Sequence, residues 1–179
     1  MKNIQTERLL LRQWKFEDLD DLFAYAKNPN VACPANWEPH QNKCVALQVL
    51  KSYITSKEIW AIELKKVKKV IGQLKMYPDH NRGKFSERNH AKFINYALAE
   101  EYWGHGYMTE AVKAVVEYAF KTDIELITAF HFPDNNKSKR VLEKCGFEYE
   151  ITLDNGIQRY DGRYSTGIYY SIMKSSPEE

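Results

Sequence analysis

The sequence predicts a mixed α/β fold in which helices pack on a largely antiparallel sheet. Short runs rich in aromatic and β-branched residues, such as 60–64 and 70–76, have the length and composition of strands. The lysine-rich segment 65–69 joins these two runs as a hairpin, which makes them antiparallel neighbours. Elsewhere, apolar residues recur every three or four positions, for example over 111–120, which is the period of an amphipathic helix.

Length and composition restrict the class of protein. A chain of 179 residues has the size of one domain, which we expect at 1–174, followed by a polar tail at 175–179. Its three cysteines are odd in number and lack C-x-x-C spacing, which predicts reduced thiols and no metal site. The sequence contains no apolar signal core and no run of membrane-spanning length. We therefore expect a soluble cytoplasmic protein.

Charge gives no indication of a nucleic-acid partner. The formal net charge is +2, and the lysines of 65–69 form a short run without interleaved aromatic residues. Such a run is typical of a solvated turn. Neither a nucleic acid nor a membrane is expected as a partner.

The first third of the chain is predicted to contain one strand and two helices. Residues 8–13 are predicted to form the strand, and 16–26 a helix whose first-turn acidic residues favour its dipole. Asn28-Pro29-Asn30 ends this helix. The segment 31–42 contains two prolines and is predicted to be an irregular loop before a second helix at 45–56.

The remaining elements alternate between strands and helices. A helix is predicted to open at Pro133-Asp134-Asn135 and to run through Cys145, with Gly146 as the residue that follows its C-terminus. Further strands are predicted at 92–98, 125–132, 148–153 and 165–173.

The most distinctive segment is 102–111, in which Gly104 and Gly106 lie between a predicted strand and a predicted helix. Glycine permits a tight turn and leaves its N–H group uncovered. The first N–H groups of a helix have no partner within that helix. Together these features predict a loop that binds a pyrophosphate. For this segment taken alone, a tight turn without a ligand is an equal alternative.

Three classes of cofactor are bound by a strand, a glycine loop and a helix in this order. A Walker loop requires Gly-Lys-Ser/Thr, whereas Gly106 is followed by Tyr107-Met108. A dinucleotide loop requires a third glycine, and Thr109 occupies that position. Too little chain follows Phe147 for a series of parallel strands. The third class, proteins that bind coenzyme A, is the one favoured.

Four motifs in sequence resemble the GNAT superfamily of N-acetyltransferases, in the branch of ribosomal-protein N-terminal acetyltransferases (RimJ/RimL-like). They are TERLLLR at 6–12, Val70-Ile71-Gly72, the glycine loop at 102–111, and NNKSKRVLEKCGF at 135–147. The resemblance covers nearly the whole chain. It implies a GNAT-like twisted sheet whose central strands, 92–98 and 125–132, splay apart to admit acetyl-CoA.

Three positions depart from the superfamily pattern. Trp103 occupies the first position of the loop, where Arg or Gln is usual in the superfamily and Trp in this branch. Met108 replaces its last small residue. Leu142 stands where many members carry a tyrosine that acts as the acid, so the acid must come from elsewhere.

The resemblance also implies the residues of the site. Backbone amides of the loop would hold the pyrophosphate, and Asn135 would contact the pantetheine arm, although Asn135 is equally explained as a helix cap. The N–H of Leu98 would face the thioester carbonyl, and Ser138 would be a candidate general acid. The cofactor-binding residues implied are Tyr96, Ala97, Leu98, Trp103, Gly104, His105, Gly106, Tyr107, Met108, Thr109, Asn135 and Ser138.

The implied reaction is direct attack of a primary amine on acetyl-CoA in a ternary complex. The resemblance favours the N-terminal amine of a protein, with polyamines and aminoglycosides as alternatives on the same scaffold. Trp37, Glu38 and Asn95 are the predicted acceptor-binding residues, and aromatic packing accounts for Trp37 equally well. The possible general bases are Glu63, Glu100, Glu101 and His131.

Two other classes of function stay open at this level. One is a non-catalytic acyl-CoA-binding module, which Leu142 supports. The other is a dinucleotide-dependent oxidoreductase, which would bind NAD in preference to coenzyme A. Cys145 is a packing residue rather than an acyl-enzyme nucleophile by its place at a helix end. A homodimer is the default expectation for the branch.

Overall fold

The structure is a computed structural model that describes residues 1–87 and 90–175. Within these ranges, eight strands form one sheet in the order β1-β2-β3-β4-β5-β6-β8-β7. The strands are β1 (Ile4–Gln5), β2 (Leu9–Arg12), β3 (Ile59–Leu64), β4 (Lys69–Pro78), β5 (Ala91–Leu98), β6 (Leu126–His131), β7 (Glu148–Gln158) and β8 (Tyr164–Met173). The helices are α1 (Leu19–Ala26), α2 (Pro29–Ala32), α3 (Lys43–Ser56), α4 (Lys84–Glu87), α5 (Tyr107–Phe120) and α6 (Asn136–Lys144).

The predicted mixed fold is confirmed, with differences near the N-terminus. Residues 16–26 do not form one helix, because Phe16–Asp18 is a 3₁₀ turn that precedes α1. Asn28 begins a further helix as well as following α1: its side chain accepts a hydrogen bond from the N–H of Asn30, and Pro29 occupies the first position of α2. Most of the predicted polar tail, 176–179, lies outside the described residues.

The two central strands separate, as the resemblance implied. β5 and β6 are the parallel pair of the sheet, and they pair only over Ala91–Phe93 and Leu126–Thr128. Beyond these residues they diverge, while β5 stays paired with β4 as far as Leu98. Gly72 permits that close pairing, because a Cβ there would lie 2.4 Å from the carbonyl oxygen of Ala97. The free edge of β5 therefore faces the opening.

Helices cover both faces of the sheet and define two apolar cores. The core beneath α5 and α6 is the larger, and the core beneath α1 to α3 is the smaller. The larger core includes Leu9, Leu11, Ile62, Ile94, Val112, Val115 and Ile127. The smaller core includes Trp14, Leu22, Leu50, Ala61 and Val70. None of the helices in the described ranges has the length and apolar character needed to cross a membrane.

Candidate active site

A cavity of about 630 Å³ lies where β5 and β6 diverge. It extends from α5 and α6 on one face of the sheet to α2 and the loop after it on the other. Two molecules that enter from opposite faces would meet beside β5. The lining consists of Asn30, Val31, Pro34, Ala35, Tyr96, Ala97, Leu98, Tyr102, Trp103, Gly104, Gly106, Tyr107, Met108, Thr109, Asp134, Asn135, Asn136, Lys137, Ser138, Arg140, Val141 and Lys144.

The glycine loop has the backbone conformation that its sequence predicts. Gly104 and Gly106 have φ angles of +80° and +81°, in the left-handed region that favours glycine. Gly106 is the N-cap residue of α5, and its position provides no side chain that could cap the first turn. The N–H groups at the start of α5 are therefore available to an anion.

Trp103 contributes to the structure of the site through its indole ring as well as its backbone. Its Nε1 donates a hydrogen bond of 2.8 Å to the carbonyl oxygen of Leu98. The ammonium of Lys137 lies 3.6 Å from the centre of the ring, in a cation–π contact. Trp103 thus links the end of β5 to the first turn of α6 across the cavity.

Alternate residues of β5 direct their amides to opposite sides. The N–H of Ala99 donates to Ile71 in β4, and the carbonyl of Ala91 accepts from Asp79, so odd-numbered residues face β4. The amides of Tyr96 and Leu98 consequently face the opening. The Leu98 carbonyl accepts a hydrogen bond from Trp103 Nε1, and the Leu98 N–H is a donor that faces the opening. The amide of Ala97 faces β4, although the residue lines the cavity.

Two hydroxyl groups meet in the cavity. The oxygens of Tyr96 and Ser138 are 2.9 Å apart, and the Tyr96 hydroxyl also lies 3.2 Å from the Ser138 carbonyl oxygen. Burial raises the pKa of Tyr96 well above its ordinary value, so this hydroxyl keeps its proton. Asn135 is the N-cap of α6: its Oδ1 accepts from the Ser138 N–H at 3.1 Å, and this contact fixes the first turn that carries Ser138.

The sequence analysis missed three cations that line the cavity. Lys137, Arg140 and Lys144 are three and four positions apart and occupy one face of α6. Their three- and four-residue spacing in the sequence is the signal that could have identified these cations as one helix face. Among the described residues, Asp134 is the single acidic side chain in the lining. The cavity therefore has an excess of positive charge, which suits a phosphorylated ligand.

A second feature that sequence analysis missed lies next to the cavity on the α2 face. The loop after α2 is bonded to the end of β7 and the turn after it. The Asn36 amide donates to the carbonyl of Gln158 at 3.1 Å, and the Tyr160 N–H donates to the Asn36 Oδ1 at 2.9 Å. Arg159 donates to the carbonyl of Cys33 at 2.9 Å. These contacts form a bridge beside the Pro34 and Ala35 that line the cavity.

The predicted acceptor-binding residues lie outside this lining. Trp37 packs in the smaller core, and its Nε1 lies 3.4 Å from the carbonyl oxygen of Ala26, to which it donates. Glu38 is exposed. Asn95 is exposed on β5, where it alternates with Tyr96 and so faces the sheet side that carries α1 to α3.

The four possible bases differ in their surroundings. Glu63 is ion-paired with Arg12 at 2.6 Å, and His131 is buried with its Nδ1 2.8 Å from a backbone carbonyl. Glu101 is exposed. Glu100 contacts the cavity lining, because it accepts a hydrogen bond of 3.1 Å from Asn30, and hydrogen bonds from Asn28 and Asn30 lower its pKa.

Cys145 is predicted to be chemically inert in the folded protein. Burial raises the pKa of its thiol to about 11, so about 0.1% is thiolate at pH 8. Cys44, which is exposed, serves as the internal control. At pH 8 we expect iodoacetamide to alkylate Cys44 well before Cys145, as measured by peptide mass spectrometry. Equal rates at the two thiols in folded protein would contradict this.

The splayed sheet, the glycine loop and the three cations of α6 define a transferase that binds an acyl-coenzyme A. Residues 8–148 match the family described as the acetyltransferase (GNAT) domain, and the chain belongs to that family. It is therefore an N-acetyltransferase that uses acetyl-CoA. The residues present fit that cofactor: the free edge of β5 could pair with pantetheine amides, and the loop and α6 would provide donors and positive charge for the phosphates.

Relatives agree with this assignment. The chain is 27% identical over 177 residues to the "Uncharacterized N-acetyltransferase YoaA" of Bacillus subtilis, covering 96% of each chain. It is 36% identical over 70 residues to the [ribosomal protein uS5]-alanine N-acetyltransferase of Escherichia coli, covering 38% of this chain and 34% of that protein.

Solved structures share the fold. A GNAT-family acetyltransferase from Bacillus anthracis has a TM-score of 0.86 at 23% identity, covering 98% of this chain and all of that one. A spermidine N-acetyltransferase from Vibrio cholerae, solved with CoA and spermine, has a TM-score of 0.75 at 19% identity, covering 94% and 97%. These likenesses support the architecture.

Proposed function

We propose that this protein transfers an acetyl group to the N-terminal amine of a protein, of the ribosomal type, by direct attack in a ternary complex. The observation that carries the proposal is the cavity that passes through the sheet beside the free edge of β5. Donor and acceptor can occupy it together from opposite faces, so that an intermediate acetylated enzyme is unnecessary. The partial match to a uS5-alanine N-acetyltransferase supports this acceptor class.

Charge favours a terminal amine over a polyamine. A polyamine or an aminoglycoside carries several positive charges and binds best in an acidic groove. On the α2 side, where the acceptor would enter, the described lining residues Asn30, Val31, Pro34 and Ala35 are uncharged.

In the proposed reaction, roles fall to the Leu98 N–H, to the Ser138 hydroxyl and to the group that accepts the amine proton. Acetyl-CoA, when bound, supplies a thioester whose acyl carbon accepts the amine and whose sulfur leaves as a thiolate. The Leu98 N–H donates to the acyl oxygen as negative charge develops there. Ser138, with its hydroxyl bonded to Tyr96, holds a proton for the departing sulfur. The amine loses its proton to water, because the hydrogen bonds that lower the pKa of Glu100 make this carboxylate a weaker base.

Acceptor specificity can be tested by release of free thiol from acetyl-CoA. We expect release with a peptide that begins with a free alanine amine. The control is the same peptide with a blocked N-terminus and a free lysine side chain, which should give little release. Faster release with spermidine or an aminoglycoside than with the free-terminus peptide would overturn the proposed acceptor class.

Removal of the Ser138 hydroxyl should slow the reaction without weakening cofactor binding. For Ser138→Ala we expect kcat to fall about tenfold, a modest effect because thiolates leave readily. Tyr96→Phe removes the other hydroxyl of the pair, and the double variant should be no slower than the slower single variant, since the two groups act as a unit. Steady-state kinetics with the accepted peptide measures this. Unchanged kcat in Ser138→Ala would assign the proton to water instead.

A further inference from the structure

Arg8 connects the TERLLLR motif at 6–12 to the glycine loop through hydrogen bonds. Its guanidinium Nε lies 2.6 Å from Glu110 Oε2, and its Nη1 donates to the carbonyl oxygen of His105 at 3.0 Å. The guanidinium carbon also lies 4.5 Å from the centre of the Tyr107 ring. One side chain thus contacts the loop, the first turn of α5 and an aromatic ring between them.

Glu110 holds Arg8 in a defined orientation. Besides the guanidinium, its carboxylate accepts the backbone N–H of Arg8 at 2.9 Å and the hydroxyl of Thr6 at 2.5 Å. Glu110 lies in the first turn of α5 and is largely shielded from solvent. The contacts place three groups of the 6–8 segment on one carboxylate. The guanidinium is therefore set in place by the fold rather than free to rotate.

The contact between Arg8 and His105 determines where an amide of the loop points. In a trans peptide the carbonyl of one residue and the N–H of the next point in opposite directions. The His105 carbonyl is turned toward Arg8, which lies outside the cavity, so the N–H of Gly106 is turned away from Arg8. Gly106 lines the cavity. Its N–H is accordingly directed to where a phosphate would lie.

Gly106 does not by itself fix the orientation of its N–H group. Glycine at a φ of +81° has no side chain to restrict rotation of the adjacent peptide. Arg8 Nη2 lies beside it, 3.5 Å from where a Cβ would be. An amide that is already oriented binds an anion without the entropic cost of being ordered.

We propose that Arg8 is a positioning residue for the acyl donor: it holds the His105 carbonyl so that the Gly106 N–H is aimed at the pyrophosphate of coenzyme A. The inference rests on the proposed contacts between the loop and the cofactor. Arg8 acts through the backbone and does not touch the cofactor itself.

The test compares two ligands that differ in the pyrophosphate. Arg8→Lys retains the charge and one contact with Glu110, but a single ammonium cannot also reproduce the bond to His105. We expect its Kd for coenzyme A, measured by calorimetry, to rise about tenfold. Its Kd for pantetheine, which lacks the pyrophosphate and is measured by NMR titration, should be unchanged. Arg163→Lys, which alters an exposed ion pair with Asp161, is the matched control.

The outcomes of this test distinguish failure of the positioning role of Arg8 from failure of the proposed cofactor site. If the wild type binds coenzyme A and Arg8→Lys binds it with equal affinity, the positioning role alone is overturned. An equal loss for coenzyme A and pantetheine also overturns it, since that result means a general structural effect. Absence of coenzyme A binding in the wild type overturns the proposed site and the inference together. Thermal melting of Arg8→Lys within a few degrees of the wild type is expected.

Discussion

Replacing Gly104 with alanine is expected to weaken coenzyme A binding by a factor of about ten or more. The residue has a φ of +80° and nothing within 4 Å of where a Cβ would lie, so the protein itself leaves space for the methyl group. That open space lies in the cavity lining, where the phosphates need close approach to the backbone. A methyl group there would stand between the amides and the anion.

Gly83 provides a matched control for this substitution. It too has a positive φ, +51°, and open space around its Cβ position, but it is not part of the cavity lining. Alanine at either position should reduce stability by about 1 kcal/mol through backbone strain. Only Gly104→Ala should raise the Kd for coenzyme A in calorimetric titration. Equal Kd values for the two variants would contradict the assignment of the loop.

Replacing Arg12 with alanine is expected to lower the free energy of unfolding by about 3–5 kcal/mol, because it leaves buried carboxylates without their partner. The Arg12 guanidinium makes two bonds of 2.8 Å to Asp18 and one of 2.6 Å to Glu63. Arg12 and Asp18 are 8% and 5% exposed. The cluster joins β2, the turn before α1, and β3.

Urea denaturation of the variant and of a surface control tests this expectation. Arg163→Ala removes an ion pair of the same residue types, with Asp161 at 2.6 Å, whose arginine side chain is 79% exposed. It should cost less than about 1 kcal/mol, since water solvates the remaining carboxylate. A loss of that small size in Arg12→Ala would show that water reaches Asp18 and Glu63. Both burial and the second carboxylate, Glu63, contribute to the larger loss expected for Arg12→Ala.

Local patterns predicted most of the fold, and the failures have local causes. Alternation and length identified seven of the strands, while β1, with two residues, was too short to produce a pattern. The predicted helix over 16–26 begins with a 3₁₀ turn because Arg12 and Lys15 both bond to Asp18 and constrain the chain there. Asn28-Pro29 ends one helix and begins the next, which residue preferences alone do not distinguish.

The sequence predicts a cofactor site most readily where the proposed chemistry would reside in the backbone of one segment. The loop with Gly104 and Gly106 could be recognised because left-handed φ angles favour glycine, whatever the rest of the fold. The acceptor side was harder. For Trp37 the sequence favours acceptor binding and aromatic packing equally, and the indole packs half-buried against the smaller core. An aromatic residue has the same identity in both settings, so sequence cannot separate them.

The sequence by itself determined the order of elements, the glycine loop and, through four motifs, the family. These are properties of neighbouring residues, which the covalent chain keeps together. Only the tertiary structure decided which groups converge: Arg8 on Glu110, 102 positions away, and Tyr96 on Ser138, 42 positions away. The physical reason is that hydrogen bonds and charges act over a few ångströms in space, and distance along the chain carries no information about that separation until the sheet has formed.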